Sequence, residues 1–116
     1  MPPKKNPLGL NALQLKTLTL FQAVARVPDA AEPDDEDPGA VRIIGLPRPH
    51  GDHFHLGRAV VASRDATGLD NPAVWLALER KGLIRGSLTT GELVVTAEGL
   101  AYDTGLAGQL LHHADH

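Results

Sequence analysis

The sequence predicts a single α+β domain, and three observations carry that prediction. The chain has 116 residues, enough for one modest core and too few for two. Residues 70–99 read as a helix, a strand, a turn, a returning strand and the start of a further helix. Residues 10–27 carry the clearest helical periodicity in the chain and are followed by a proline-rich acidic stretch.

Residues 1–9 form an N-terminal arm with Lys4 and Lys5. Gly9, Asn11, Gln14 and Lys16 interrupt any apolar run behind the lysines, so the arm does not read as a signal peptide. No stretch approaches the ~20 apolar residues of a membrane span. A cytoplasmic protein with no membrane partner is the expectation, and the absence of cysteine agrees with it.

In the first helix, from Leu10 to Val27, one broad face holds Leu10, Leu13, Leu18, Leu20, Phe21 and Val24, with Lys16, Thr19 and Gln22 outside it. Leu15 does not fit that face, and an exposed leucine there points to a homodimer contact through this helix.

Residues 28–40 hold six acids (Asp29, Glu32, Asp34, Asp35, Glu36 and Asp37), three prolines and no Lys or Arg. An irregular, solvated loop is expected, the alternative being an acidic segment that mimics DNA and competes for a basic face. The formal net charge is −3, but setting these six aside from the fourteen acids leaves eight against eleven basic residues. The folded part is therefore expected to be mildly basic.

Residues 41–69 are the least legible. Val41, Ile43 and Ile44 suggest a short strand, and the Pro- and Gly-rich run to Gly57 excludes a helix. Residues 58–63 fit either a strand pairing with the first or a short helix, because periodicity over six residues does not separate the two. An extended segment over 55–61 and a helical turn over 63–67 are the expectation. This run also contains His50, Asp52, His53 and His55. Imidazole and carboxylate suit zinc, nickel or iron, and His53 and His55 share one side of an extended segment. A metal-responsive role is one reading and exposed loop histidines the other; no defined ligand frame is present and no cofactor is expected.

Asp70 or Asn71 caps the next helix, Pro72 occupies its first turn, and Gly82 ends it. Val74, Trp75 and Leu78 face inward, which leaves Ala73, Leu76, Ala77 and Arg80 outward. Leu83 and Ile84 open a strand, residues 87–91 turn, Leu93, Val94 and Val95 return, and Thr96 or Glu98 opens a last helix. The domain is expected to extend to residue 111, with a flexible tail over 112–116.

The series Leu78, Glu79, Arg80, Lys81, Gly82, Leu83, Ile84, followed by Val95, Thr96, Glu98 and Gly99, resembles the C-terminal half of winged helix-turn-helix transcriptional regulators. The resemblance covers about thirty residues closely. It implies a recognition-type helix in the DNA major groove, a β-hairpin wing beside it, and a role in transcription regulation. On that reading Asn71, Arg80 and Arg85 lie nearest the bases, and Lys4, Lys5, Arg58, Arg64 and Lys81 meet phosphates of double-stranded DNA. The outward face is nonetheless largely apolar and residues 87–91 hold no cation, so the same fold also reads as an adaptor that binds protein through Ala73, Leu76 and Ala77. No phosphate loop, nucleophile elbow or HExxH motif is present, and Ser63, Asp65 and His53 make no recognisable triad by order, so no enzyme is expected.

Overall fold

The computed structural model describes residues 6–46, 51–56 and 59–113, with the backbone alone described at Gln109, His112 and His113. Its elements run α1 (Ala12–Val24), β1 (Ala31–Pro33), β2 (Val41–Ile43), β3 (His53–Leu56), β4 (Ala59–Ala62), two 3-10 turns (Ser63–Asp65 and Thr67–Asp70), α2 (Pro72–Arg80), β5 (Ile84–Ser87), β6 (Glu92–Val95), α3 (Ala97–Ala101), α4 (Ala107–Leu110) and β7 (His112–His113). The architecture is α+β, with two antiparallel sheets ordered β1-β2-β6-β5 and β3-β4-β7.

Helix α1 starts later and stops earlier than the apolar pattern alone suggests. Asn11 accepts from the Gln14 backbone N–H at 2.8 Å, and the Gln14 side chain accepts from the Asn11 N–H at 3.0 Å, a reciprocal cap that fixes the first turn. The helix is buried on more than one side: Thr17, Leu18, Thr19, Leu20, Phe21 and Val24 are all buried. Thr19, expected outside, is a correction. Its hydroxyl donates to the Leu15 carbonyl at 2.8 Å and meets the Thr104 hydroxyl at 2.6 Å, so its polarity is satisfied inside. Leu15, expected exposed, packs partly buried against the core. Gln22 donates to the carbonyls of Gly99 and Tyr102 at 2.8 and 2.7 Å, tying α1 to the end of α3.

The acidic segment is not a solvated loop throughout. Ala31–Pro33 forms edge strand β1 on β2, with Glu32 opposite Arg42, and the chain then folds back over the sheet. Strand β2 pairs with β1 and β6; of the two alternatives for residues 58–63, Ala59–Ala62 is a strand, but it pairs with β3 and β7 rather than with β2. The extended segment expected over 55–61 is instead the hairpin β3–β4, with His55 opposite Val60, so its pairing partner is local. The helical turn expected over 63–67 is found as the two 3-10 turns. Backbone pairing of β7 with β4 continues two residues into the expected tail; residues 114–116 lie outside the described residues.

Residues 70–99 form the elements their local signals require. The Asn71 side chain accepts from the Ala73 N–H at 3.0 Å, and Pro72 takes the first helical position. At the other end Gly82 adopts φ +75°, while the N–H groups of Leu83 and Gly82 reach the carbonyls of Leu78 and Glu79 at 3.1 and 2.9 Å. That paired closure needs a left-handed residue, which glycine supplies without a Cβ penalty. Thr96 caps α3 by accepting from the Gly99 N–H at 3.0 Å, and its hydroxyl donates to the Gly82 carbonyl at 2.7 Å. At Gly99 a Cβ would overlap the Leu83 carbonyl, so this close approach of α3 to the start of β5 excludes any side chain.

The core lies between α1, α2 and the inner face of the four-stranded sheet. Phe21, Leu78, Ile84, Leu93 and Val95 are all within 2 % of complete burial. Trp75 meets Phe21 edge to face with ring centroids 5.4 Å apart, and its indole N–H donates to the Leu69 carbonyl at 3.0 Å. Among the described residues no helix is long and apolar enough to cross a membrane.

Candidate recognition surface

Helix α2 stands beside β5, and the two enclose a groove of about 200 Å³ lined by Pro72, Trp75, Leu76, Glu79, Gly86, Ser87, Leu88 and Thr89. Inward burial of Val74, Trp75 and Leu78 turns Leu76 outward, where 46 % of its surface is exposed. Leu88, in the hairpin turn, lines the same groove. That turn is held by the Ser87 carbonyl accepting from Gly91 N–H at 2.9 Å, and by the Ser87 hydroxyl accepting from Thr90 N–H at 3.2 Å. The Glu79 carboxylate accepts from the Gly86 N–H at 3.3 Å, occupying one donor of the β5 edge. Of the expected face Ala73, Leu76 and Ala77, Leu76 lines the groove and the two alanines do not; Leu88 was missed, because its place in a turn hid the fact that the turn folds back toward α2.

The cations proposed for DNA do not converge on this groove. Asn71 spends its side-chain oxygen on the helix cap. Arg80, Lys81 and Arg64 are exposed, Arg80 standing one turn beyond Leu76 on the same face of α2. Arg85 points to the outer face of the sheet. The ladder register places Arg42 and Arg85 on either side of Val94 in one cross-strand row. Asp34 fills the space between them, its Oδ2 accepting from Arg85 Nη2 at 3.0 Å and its Oδ1 lying 3.8 Å from Arg42 Nη2. Asp37 adds a contact to Arg85 at 3.6 Å, and its backbone N–H donates to Asp34 at 3.0 Å. The Asp34 side chain is only 6 % exposed, so within a segment whose Asp29, Glu32, Asp35 and Glu36 are solvent-exposed as expected, this one acid is fitted between two arginines. Lys4, Lys5 and Arg58 lie outside the described residues.

No family model, curated protein or solved structure matches the chain. Functional argument therefore rests on the side chains themselves.

On the second sheet, His53 and His55 project from the same side of β3, with ring centroids 4.8 Å apart and Nε2 atoms 3.1 Å apart. His53 Nδ1 lies 3.2 Å from Asp52 Oδ1. That hydrogen bond, then the Asp52 backbone N–H and the charge His53 acquires on protonation, hold the Asp52 carboxyl below its usual value. His50 lies outside the described residues. Asp65 pairs with Lys16 at 3.2 Å, while His53 takes Asp52, so these acids are engaged elsewhere than in a relay with Ser63.

Proposed function

We propose that this chain is a winged-helix-type protein-interaction module, in which the groove between α2 and the β5–β6 hairpin receives an apolar anchor of a partner protein. The observation that carries this reading is the groove itself: Leu76, nearly half exposed, and Leu88 line one space of about 200 Å³, which we read as room for one large aliphatic or aromatic side chain. Exposed Arg80 and Lys81 at the end of α2 favour carboxylates flanking that anchor. A partner adding a strand to β5 is disfavoured, because Glu79 already takes the Gly86 N–H. The winged-helix reading is supported by the order helix, hairpin, helix start over residues 72–101 and by β2 pairing beside β6.

Selection of twelve-residue peptides against the immobilised chain tests this. Enrichment of sequences with one Leu, Ile or Phe flanked by Asp or Glu, lost on Leu76→Asp, is the expected result. Enrichment unaffected by Leu76→Asp, or none, contradicts it.

A second reading, DNA binding in transcription regulation, is favoured by one observation: Arg42 and Arg85 are covered by the chain's own carboxylates, as a competitor for phosphate would cover them. On that reading duplex DNA binds weakly to the native chain, and binding strengthens and steepens in its salt dependence once Asp34 is removed. No duplex binding at low salt by either form would end it. A homodimer through α1 has less to rest on, since Leu15 is drawn toward the core; sedimentation equilibrium tests it directly.

A further inference from the structure

The pair of imidazoles on β3 belongs to the three-stranded sheet and does not line the proposed groove, and its two Nε2 atoms are in contact. Residues two apart on a strand share a face, and here the sharing brings His53 Nε2 and His55 Nε2 to 3.1 Å. Two nitrogens bound to one zinc at about 2.0–2.1 Å are separated by about 2.9–3.4 Å for octahedral to tetrahedral angles. The pair therefore already stands at the bite a metal ion requires.

Protonation follows from the neighbours. An ionised Asp52 only accepts, so in the neutral form of His53 the Nδ1 that it meets at 3.2 Å carries the proton and Nε2 presents a lone pair. Across the 3.1 Å gap, His55 Nε2 is then the donor. A carboxylate on the far nitrogen of a ligating histidine is the usual outer partner of such a site, fixing the tautomer and raising the basicity of the ring. Among the described residues no third His, Cys, Asp or Glu joins the pair to complete a ligand set. The ladder does place the backbone of His112 in one cross-strand row with Val60 and His55.

We propose that His53 and His55 form a two-histidine binding site for a divalent late transition metal, zinc or nickel, with Asp52 as the positioning residue for His53. On binding, the ion takes the place of the shared proton between the two Nε2 atoms. Coordination positions beyond the two imidazoles are filled by water or by a further donor.

Isothermal titration of the full chain with zinc chloride, and separately with nickel chloride, tests the site. Expected are one saturable event and a rise in Tm with metal. His53→Ala and His55→Ala each weaken binding tenfold or more and remove the Tm rise, with unchanged far-UV circular dichroism. Should either alanine variant fail to fold, His53→Gln and His55→Gln take its place. Replacing His112, His113 and His116 together by alanine separates the remaining imidazoles of the C-terminal segment. If the alanine variants at 53 and 55 bind as tightly as the native chain while the triple variant does not, the proposal is overturned. Loss at 53 and 55 sustains it, and further loss in the triple variant identifies a third donor.

Discussion

The molecule's two hairpins are built to different ends. In β5–β6, Ile84, Leu93 and Val95 are buried to within 2 %, the turn is closed by Ser87 and Thr90, and on the outer face Asp34 sits between Arg85 and, on neighbouring β2, Arg42. In β3–β4, Leu56 and Val61 are the buried residues, and His53 and His55 stand outward. A hairpin committed to the core on one face and to ion pairs on the other has little freedom to change its side chains. It forms one wall of the groove beside Leu76. The β3–β4 hairpin gives the core Leu56 and Val61 from one face only, and its other face carries the two imidazoles.

That contrast breaks first at the core. Ile84→Ala is expected to cost about 2–5 kcal/mol in urea unfolding, since a buried aliphatic side chain is lost and the sheet cannot close the cavity. A loss under about 1 kcal/mol would show that β5 is less committed than its burial implies. Asp34→Ala comes next, at about 1 kcal/mol: two hydrogen bonds to the carboxylate, from Arg85 and from the Asp37 N–H, and a longer ion pair disappear, but both arginines are nearly half exposed and are rehydrated. The loss should shrink in high salt; a salt-independent loss would mean the loop is held by packing rather than charge. Smallest is His53→Ala, expected within about 0.5 kcal/mol of the native chain without metal, because the ring lies on a peripheral strand. A larger loss would place the imidazole pair among the structural elements and erase the difference between the hairpins.

How far the sequence foretold these regions follows from where their information lies. The cap at Asn71, the proline at 72, the glycine at 82 and the threonine at 96 are local signals, and each does in the structure what its chemistry requires nearby. Pairing of β2 with β6 is not local: Val41 meets Val95 across more than fifty residues, and nothing in three residues of strand specifies that partner. Thr19 was misjudged for the same reason, since its place inside the core depends on Thr104. The acidic segment read as solvated because composition reports charge but not register; Asp34 is buried only because Arg42 and Arg85 flank Val94 in one row. Of the candidate surface, Leu76 was legible from helical spacing and Leu88 was not. The His53–His55 pair was legible from strand alternation, but the nitrogen separation required the structure.

Trp75 is the chain's one tryptophan and lines the groove, so its fluorescence reports directly on what enters there. The decisive measurement is a titration of Trp75 emission, run in parallel with a groove-selected peptide and with a mixed-sequence duplex at low salt. A saturable change with the peptide, absent in Leu76→Asp, and no change with the duplex is the predicted result. Emission that responds to the duplex, or that ignores the peptide, would contradict the claim that this groove binds protein.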